Sequence, residues 1–215
     1  MPFNSEKHCR RSIRLPGYDY SQPGAYFITI CTQDRAYLFG EVVNGEMRLN
    51  KYGQIVDDAW NDLSNHYAGL ILDAFVIMPN HVHGVIVLTG DPIWDDLVGA
   101  GFKPAPTHTK HVPLSEIVRA FKTFSARRIN QHRGTLGAPV WQRNYYEHII
   151  RNEESLNRIR EYILQNPLRW HLDRENPERT GTDDLWDAIF SVGAGTRPAP
   201  NNRATTRVAP TGGDQ

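Results

Sequence analysis

A chain of 215 residues with 40% hydrophobic and 10% aromatic side chains has enough apolar surface for one domain of ordinary size, which excludes a disordered protein. It contains no run of about 18 apolar residues, and residues 1–20 lack the apolar middle of a signal peptide, so a soluble, cytoplasmic protein that does not engage a membrane is expected. Formal net charge is zero, yet residues 34–98 carry 10 acidic against 3 basic side chains while residues 103–170 carry 12 basic against 5 acidic ones. Such charges ordinarily solvate helix faces, but a basic half can attract phosphates because the field that matters is local.

The first element in chain order is "AYFITICT" (25–32), a β-branched and aromatic strand bounded by Pro23-Gly24 and Asp34. Asn44-Gly45 between apolar stretches predicts a hairpin. Tyr52, Ile55, Val56, Ala59, Trp60 and Leu63 recur at helical spacing behind Asn50 as N-cap, predicting a helix over 51–66. "LILDAFVIM" (70–78) and "HVHGVIVLT" (81–89) then read as antiparallel strands joined by the tight Pro79-Asn80 turn. After Pro113, Leu114, Ile117, Val118, Phe121 and Phe124 share one face of a helix whose outer side is basic. "PVWQRNYYEHII" (139–150) is strand-like, and a last helix runs from the N-cap Asn152 to the stop at Pro167. The order β, hairpin, α, β, β, α, β, α predicts an α+β fold, a split βαβ sandwich with an antiparallel sheet and helices on one face. Residues 1–19 are expected to form an N-terminal arm, 20–177 the domain with a Gly/Pro-rich insertion at 90–112, and 178–215 a disordered tail. "VGAGFKPAPT" (98–107) and "VGAGTRPAPN" (192–201) match at seven of ten positions, too poor in core residues for a solenoid repeat. Cys9 and Cys31 stand apart from each other and from any Cys/His spacing, so a disulfide framework and a zinc finger are not suggested.

Chemistry concentrates in two places. His81 and His83 are i and i+2 in a strand, so both imidazoles point the same way and can converge on one ion. Gly84, on the opposite face, admits a close neighbour. Two histidines in this pattern alone fit zinc enzymes, cupin-like metal sites and metal-dependent nucleases equally. In the last helix Tyr162 and Asn166 are four apart at the border of the stripe made by Leu156, Ile159 and Ile163. Singly, they read as a core-edge tyrosine and a helix C-cap.

Together, "MPNHVHGVIVL", the basic helix with "FKTFSAR", and "VWQRNYYEHIIRNEESLNRIREYILQNPLRW" resemble the REP-associated tyrosine transposases, members of the HUH single-strand endonuclease superfamily. The resemblance spans roughly residues 20–171 and implies a compact ferredoxin-like domain that cuts single-stranded DNA near hairpins, with palindromic repeats as partners and a monomer or homodimer as the assembly. It implies that His81, His83 and Asn166 bind Mg²⁺ or Mn²⁺ and that Tyr162 is the nucleophile. A free tyrosine, with a pKa of about 10, needs a polarised target, which a divalent ion on the scissile phosphate supplies. The product would be a 5′-phosphotyrosine and a free 3′ hydroxyl. Arg119, Lys122, Arg127, Arg128, Arg133 and Arg143 would then track phosphates, and Trp141, Tyr145 and Tyr146 would offer stacking surfaces. Tyr145 and Tyr146 are also rival nucleophiles, less suited because no polar partner lies four residues on. Two other classes fit the residues: a non-catalytic nucleic-acid-binding module, and a metal hydrolase that activates water.

Overall fold

The computed structural model describes residues 17–89 and 112–190. Both copies of the repeated decapeptide lie outside the described residues, as do the N-terminal arm up to residue 16 and nearly all of the expected insertion.

Four strands form one antiparallel sheet in the order β4-β5-β1-β6: β1 (Gly24–Cys31), β4 (Leu70–Met78), β5 (His81–Leu88) and β6 (Tyr146–Ile150). The hairpin β2 (Gly40–Val43) and β3 (Glu46–Leu49) stands apart from it. Its turn residues Asn44 and Gly45 sit at φ 53° and 81°, the left-handed pair that a two-residue hairpin turn requires. Helix α1 (Lys51–Asn61) starts at Asn50, whose side chain accepts from the amides of Tyr52 and Gly53. The expected helix over 51–66 is divided at Asp62, with α2 (Leu63–His66) as a final turn. Helix α3 (Leu114–Arg133) ends at Gly134 in the left-handed conformation, and α4 (Glu153–Gln165) is capped by Asn152 and ends before Pro167 as expected.

The strands β1, β4, β5 and β6 with α1 and α3 make a βαββαβ frame, the ferredoxin-like arrangement that the resemblance implied. Helices α1 and α3 pack on one sheet face, against Tyr26, Ile28, Ile30, Val82 and Ile86. Helices on one face hold for that frame alone. The other face, with Phe27, Val85 and Ile150, is covered by α4 and by a further helix, α5 (Asp184–Phe190), where the sequence suggested a tail. Trp186 and Phe190 of α5 are buried, their rings 5.9 and 4.9 Å from that of Phe27. A seven-residue helix has no stability of its own, and packing on Phe27 supplies it.

The strand expected over 139–150 forms only at 146–150. Before it, the Lys122 ammonium takes the carbonyls of Gln142 and Arg143 at 2.6 and 2.9 Å, so these groups face α3 rather than a ladder. A bridge between Trp141 and Thr32 keeps the segment beside the end of β1.

Gly84 sits where β5 passes Trp60, which stacks flat on Phe75 at 4.2 Å. A Cβ there would lie 2.4 Å from Trp60 Cη2. Gly84→Ala is therefore expected to lower stability by roughly 1–3 kcal/mol, read as a fall in the urea midpoint. An unchanged midpoint would show that Trp60 yields without cost.

Candidate active site

The side chains of β5 alternate, so His81 and His83 face α4 while Val82 and Ile86 face α1 and α3. Both histidines are fully buried, and their Nε2 atoms approach to 3.0 Å. Each outer nitrogen has a partner: His81 Nδ1 lies 2.8 Å from Asn80 Oδ1, and His83 Nδ1 lies 2.8 Å from Thr29 Oγ1. In the tautomer in which both Nδ1 atoms donate outward, the two Nε2 atoms would present lone pairs to the same point, the orientation that metal-binding histidines adopt. Burial pushes the His81 imidazole down to about 3, so it is neutral and available as a ligand.

The third group facing that point is Asp173. Its Oδ2 lies 3.7 Å from His81 Nε2 and 3.8 Å from His83 Nε2, and His81, His83 and Asp173 form a set able to hold a metal ion. Asp173 is buried, which works against its charge, but the paired histidines and the Asn166 amide outweigh this and hold its carboxyl well below the usual range. Asn166, the expected third ligand, donates from Nδ2 to Asp173 Oδ2 at 2.8 Å, while its Oδ1 is buried and accepts no hydrogen bond. A cluster of two imidazoles, a carboxylate and an unsatisfied amide oxygen fits a divalent ion, and the 3.0 Å nitrogen separation suits ligands about 2.1 Å from a shared centre.

Tyr162, on α4, closes the constellation. Its Oη lies 3.4 Å from His83 Nε2 and donates to Asp183 Oδ2 at 3.3 Å. Asp183 is held in turn: Oδ1 accepts the Trp186 amide at 3.2 Å, capping α5, and lies 3.7 Å from the Arg169 guanidinium. Burial first, then the carboxylates of Asp173 and Asp183, push the phenol above its ordinary value, so Tyr162 carries its proton in this arrangement. The ring touches Trp186 and Phe190, and Tyr162 is only 2% exposed. In this arrangement α5 lies over the tyrosine.

A family model for "Transposase IS200 like" matches residues 107–166, a span that includes Tyr162 and Asn166. A Haemophilus influenzae protein provisionally named a REP-associated tyrosine transposase is 27% identical over 153 residues, covering 70% of this chain and 74% of that protein. A second Haemophilus influenzae protein, of uncharacterized function, is 40% identical over 182 residues, covering 80% of this chain and 96% of its relative. The chain is thus similar to the IS200-like transposases. Among solved structures, a REP-associated tyrosine transposase bound to a REP hairpin is similar at TM-score 0.49 and 19% identity, over 74% of each chain. A provisionally named transposase from Deinococcus radiodurans is similar at TM-score 0.41 and 22% identity, over 71% of this chain and 96% of that one.

In this chain the structure brings His81, His83, Tyr162 and Asn166 together, as the sequence led one to expect, and adds Asp173 and Asp183. Neither aspartate has a periodic signal. Asp173 follows a single 3-10 turn (Trp170–Leu172), and Asp183 precedes the short α5. The residues expected on DNA are more dispersed. Arg119 pairs with Glu116, Arg128 reaches Asp62 at 3.5 Å, and Arg133 donates to Asn130 at 2.9 Å. Arg127 and Arg143 are exposed. Trp141 is largely buried against Phe39 and Phe121, with its indole N–H on Ser125 Oγ at 2.9 Å, so it offers at most an edge for stacking. Tyr145 packs with the α1/α3 core and Tyr146 with Phe27 and Trp186 on the active-site face.

Proposed function

We propose that this chain is a transposase that cuts and rejoins single-stranded DNA beside hairpins through a covalent 5′-phosphotyrosine at Tyr162. The observation that carries this reading is the phenolic oxygen 3.4 Å from His83 Nε2, at the margin of a buried His-His-Asp cluster. His81, His83 and Asp173 would hold a divalent cation, Mg²⁺ or Mn²⁺, with Asn166 supporting the aspartate. Bound there, the ion supplies charge stabilisation and alignment of the scissile phosphate. Mixed nitrogen and oxygen ligation suits Mn²⁺ better than Mg²⁺.

The protein's own groups do the rest. Tyr162 passes its proton to Asp183 Oδ2, its hydrogen-bond acceptor, as the phenolic oxygen forms a bond to phosphorus. The bond from phosphorus to the 3′ oxygen breaks, and that oxygen leaves as a hydroxyl after taking a proton from solvent. Attack by a 3′ hydroxyl on the phosphotyrosine reverses the sequence and joins DNA without another energy source. Because the tyrosine is buried beneath Trp186 and Phe190, α5 has to shift before a phosphate reaches it. A backbone phosphate presented to so enclosed a group must lie in flexible, unpaired DNA.

The test is end-labelled hairpin DNA with a single-stranded flank, incubated with the full chain and Mn²⁺ or Mg²⁺ and run on a denaturing gel. A label that migrates with the protein, is lost in chelator and is missing with blunt duplex is the expected result. Cleavage without any adduct would overturn the tyrosine mechanism and favour hydrolysis by water.

A further inference from the structure

Helix α3 and the irregular segment 138–145 enclose a groove of about 470 Å³ on the sheet face opposite His81 and His83. That volume falls among small-ligand sites, which run from about 300 to 1,000 Å³. Val118, Ala126, Val140 and an edge of Trp141 give it an apolar floor. Its walls hold cations of a particular kind. Lys122 is partly buried, and burial pulls its ammonium below the usual value, yet no carboxylate among the described residues pairs with it. Two of its three donors go to the carbonyls of Gln142 and Arg143, which leaves one for a ligand. Arg143, beside it, is exposed and has no ion-pair partner among the described residues. An apolar floor flanked by Lys122 and Arg143, neither ion-paired among the described residues, matches a planar base carrying an anionic group; Arg119, also on the wall, is paired with Glu116.

The groove also has a route to Tyr162. Strand β6 is the edge of the sheet, and the segment leading into it divides between the two faces. Tyr145 lines the groove, while the next residue, Tyr146, packs beside Phe27 and Trp186, both in ring contact with Tyr162. The segment lies at the site's end of the sheet: the Gln142 amide donates to Cys31 O at 2.9 Å, and Cys31 is paired with His81.

We propose that the groove seats one unpaired nucleotide of the strand that Tyr162 attacks, its base on the Val118, Ala126 and Trp141 floor and its phosphate on Lys122 and Arg143. The strand then turns round the β6 edge at Tyr145 and Tyr146 to reach the active site. The assignment rests on the reading of this chain as a single-strand endonuclease and adds where the strand flanking the cut is held. A paired base is not available to such a pocket, so the groove selects single-stranded flanks.

The experiment uses the full chain and a hairpin whose single-stranded flank carries 2-aminopurine stepped one position at a time. One position should change its fluorescence on binding. Thr123→Trp, which fills the groove from its exposed rim, and Lys122→Met should abolish that signal and raise Kd for the flanked hairpin about tenfold, the scale of one lost stacked base. Kd for a hairpin without a flank should stay within twofold. Unchanged Kd and fluorescence in Thr123→Trp would overturn the proposal, as would an equal loss for both DNAs, which marks general charge attraction. A wild-type chain that shows the position-specific signal but forms no adduct would instead refute the endonuclease reading and leave the groove standing.

Discussion

Tyr162→Phe should reduce the covalent DNA adduct below detection while leaving Kd for DNA within about twofold. The substitution removes one oxygen and keeps the ring that packs against Phe27, Trp186 and Phe190. Its structural cost is the hydrogen bond to Asp183, worth about 1 kcal/mol, so the variant should stay folded and a thermal melt will verify this. Among the described residues no other tyrosine hydroxyl is hydrogen-bonded to the histidines: Tyr146 packs on Trp186 and Phe190, and Tyr145 belongs to the opposite face. Tyr146→Phe is the matched control and should retain the adduct. An adduct that persists in Tyr162→Phe and vanishes in Tyr146→Phe would move the nucleophile to β6. The buried position of Tyr162 sharpens the expectation, because a tyrosine covered by α5 reacts only when bound DNA has displaced that cover. Loss of the adduct with binding intact therefore separates the chemical step from the rearrangement that precedes it.

How much of this site could be read from the sequence depends on periodicity. His81 and His83 were legible because strand alternation sends i and i+2 to one face, and Tyr162 with Asn166 because helical spacing does the same four residues apart. The close approach at Gly84 was legible too, though only the fold reveals Trp60 as the neighbour. Asp173 had no such signal. It reaches the histidines from a part of the chain about ninety positions on, carried there by turns after Pro167 and fixed by its own bond to the Glu175 amide. Asn166 was placed near the site correctly, but spacing cannot tell a ligand from the group that orients a ligand. Helix α5 is a different kind of omission. "DLWDAIF" has its two large rings, Trp186 and Phe190, one helical turn apart behind the N-cap Asp183, yet seven residues among glycines and prolines read as tail until Phe27 is known to await them. The charge asymmetry was real as composition, but several of the arginines it counted are engaged with acids nearby.

Asp173→Asn should abolish high-affinity Mn²⁺ binding, measured calorimetrically on the full chain, and with it cleavage. The amide keeps an oxygen for the Glu175 N–H and the volume of the buried site, while its NH2 replaces Oδ2, so Asn166 has to turn its amide and present Oδ1 to keep a hydrogen bond there. Two imidazoles and a neutral amide then have no anion with which to attract a dication into a dehydrated pocket. Asn166→Ala should do less. If its part is to orient Asp173 through the 2.8 Å bond from Nδ2, its loss should weaken Mn²⁺ binding by about 10- to 100-fold, the range for groups that position a ligand, and raising the Mn²⁺ concentration should restore cleavage. The unsatisfied Oδ1 of Asn166 defines the opposite outcome. Were that oxygen the third ligand and Asp173 its support, Asn166→Ala would lose binding outright while Asp173→Asn kept a measurable site. The order of the two variants thus assigns the ligand, and His81→Ala and His83→Ala should match whichever of the two proves the more severe.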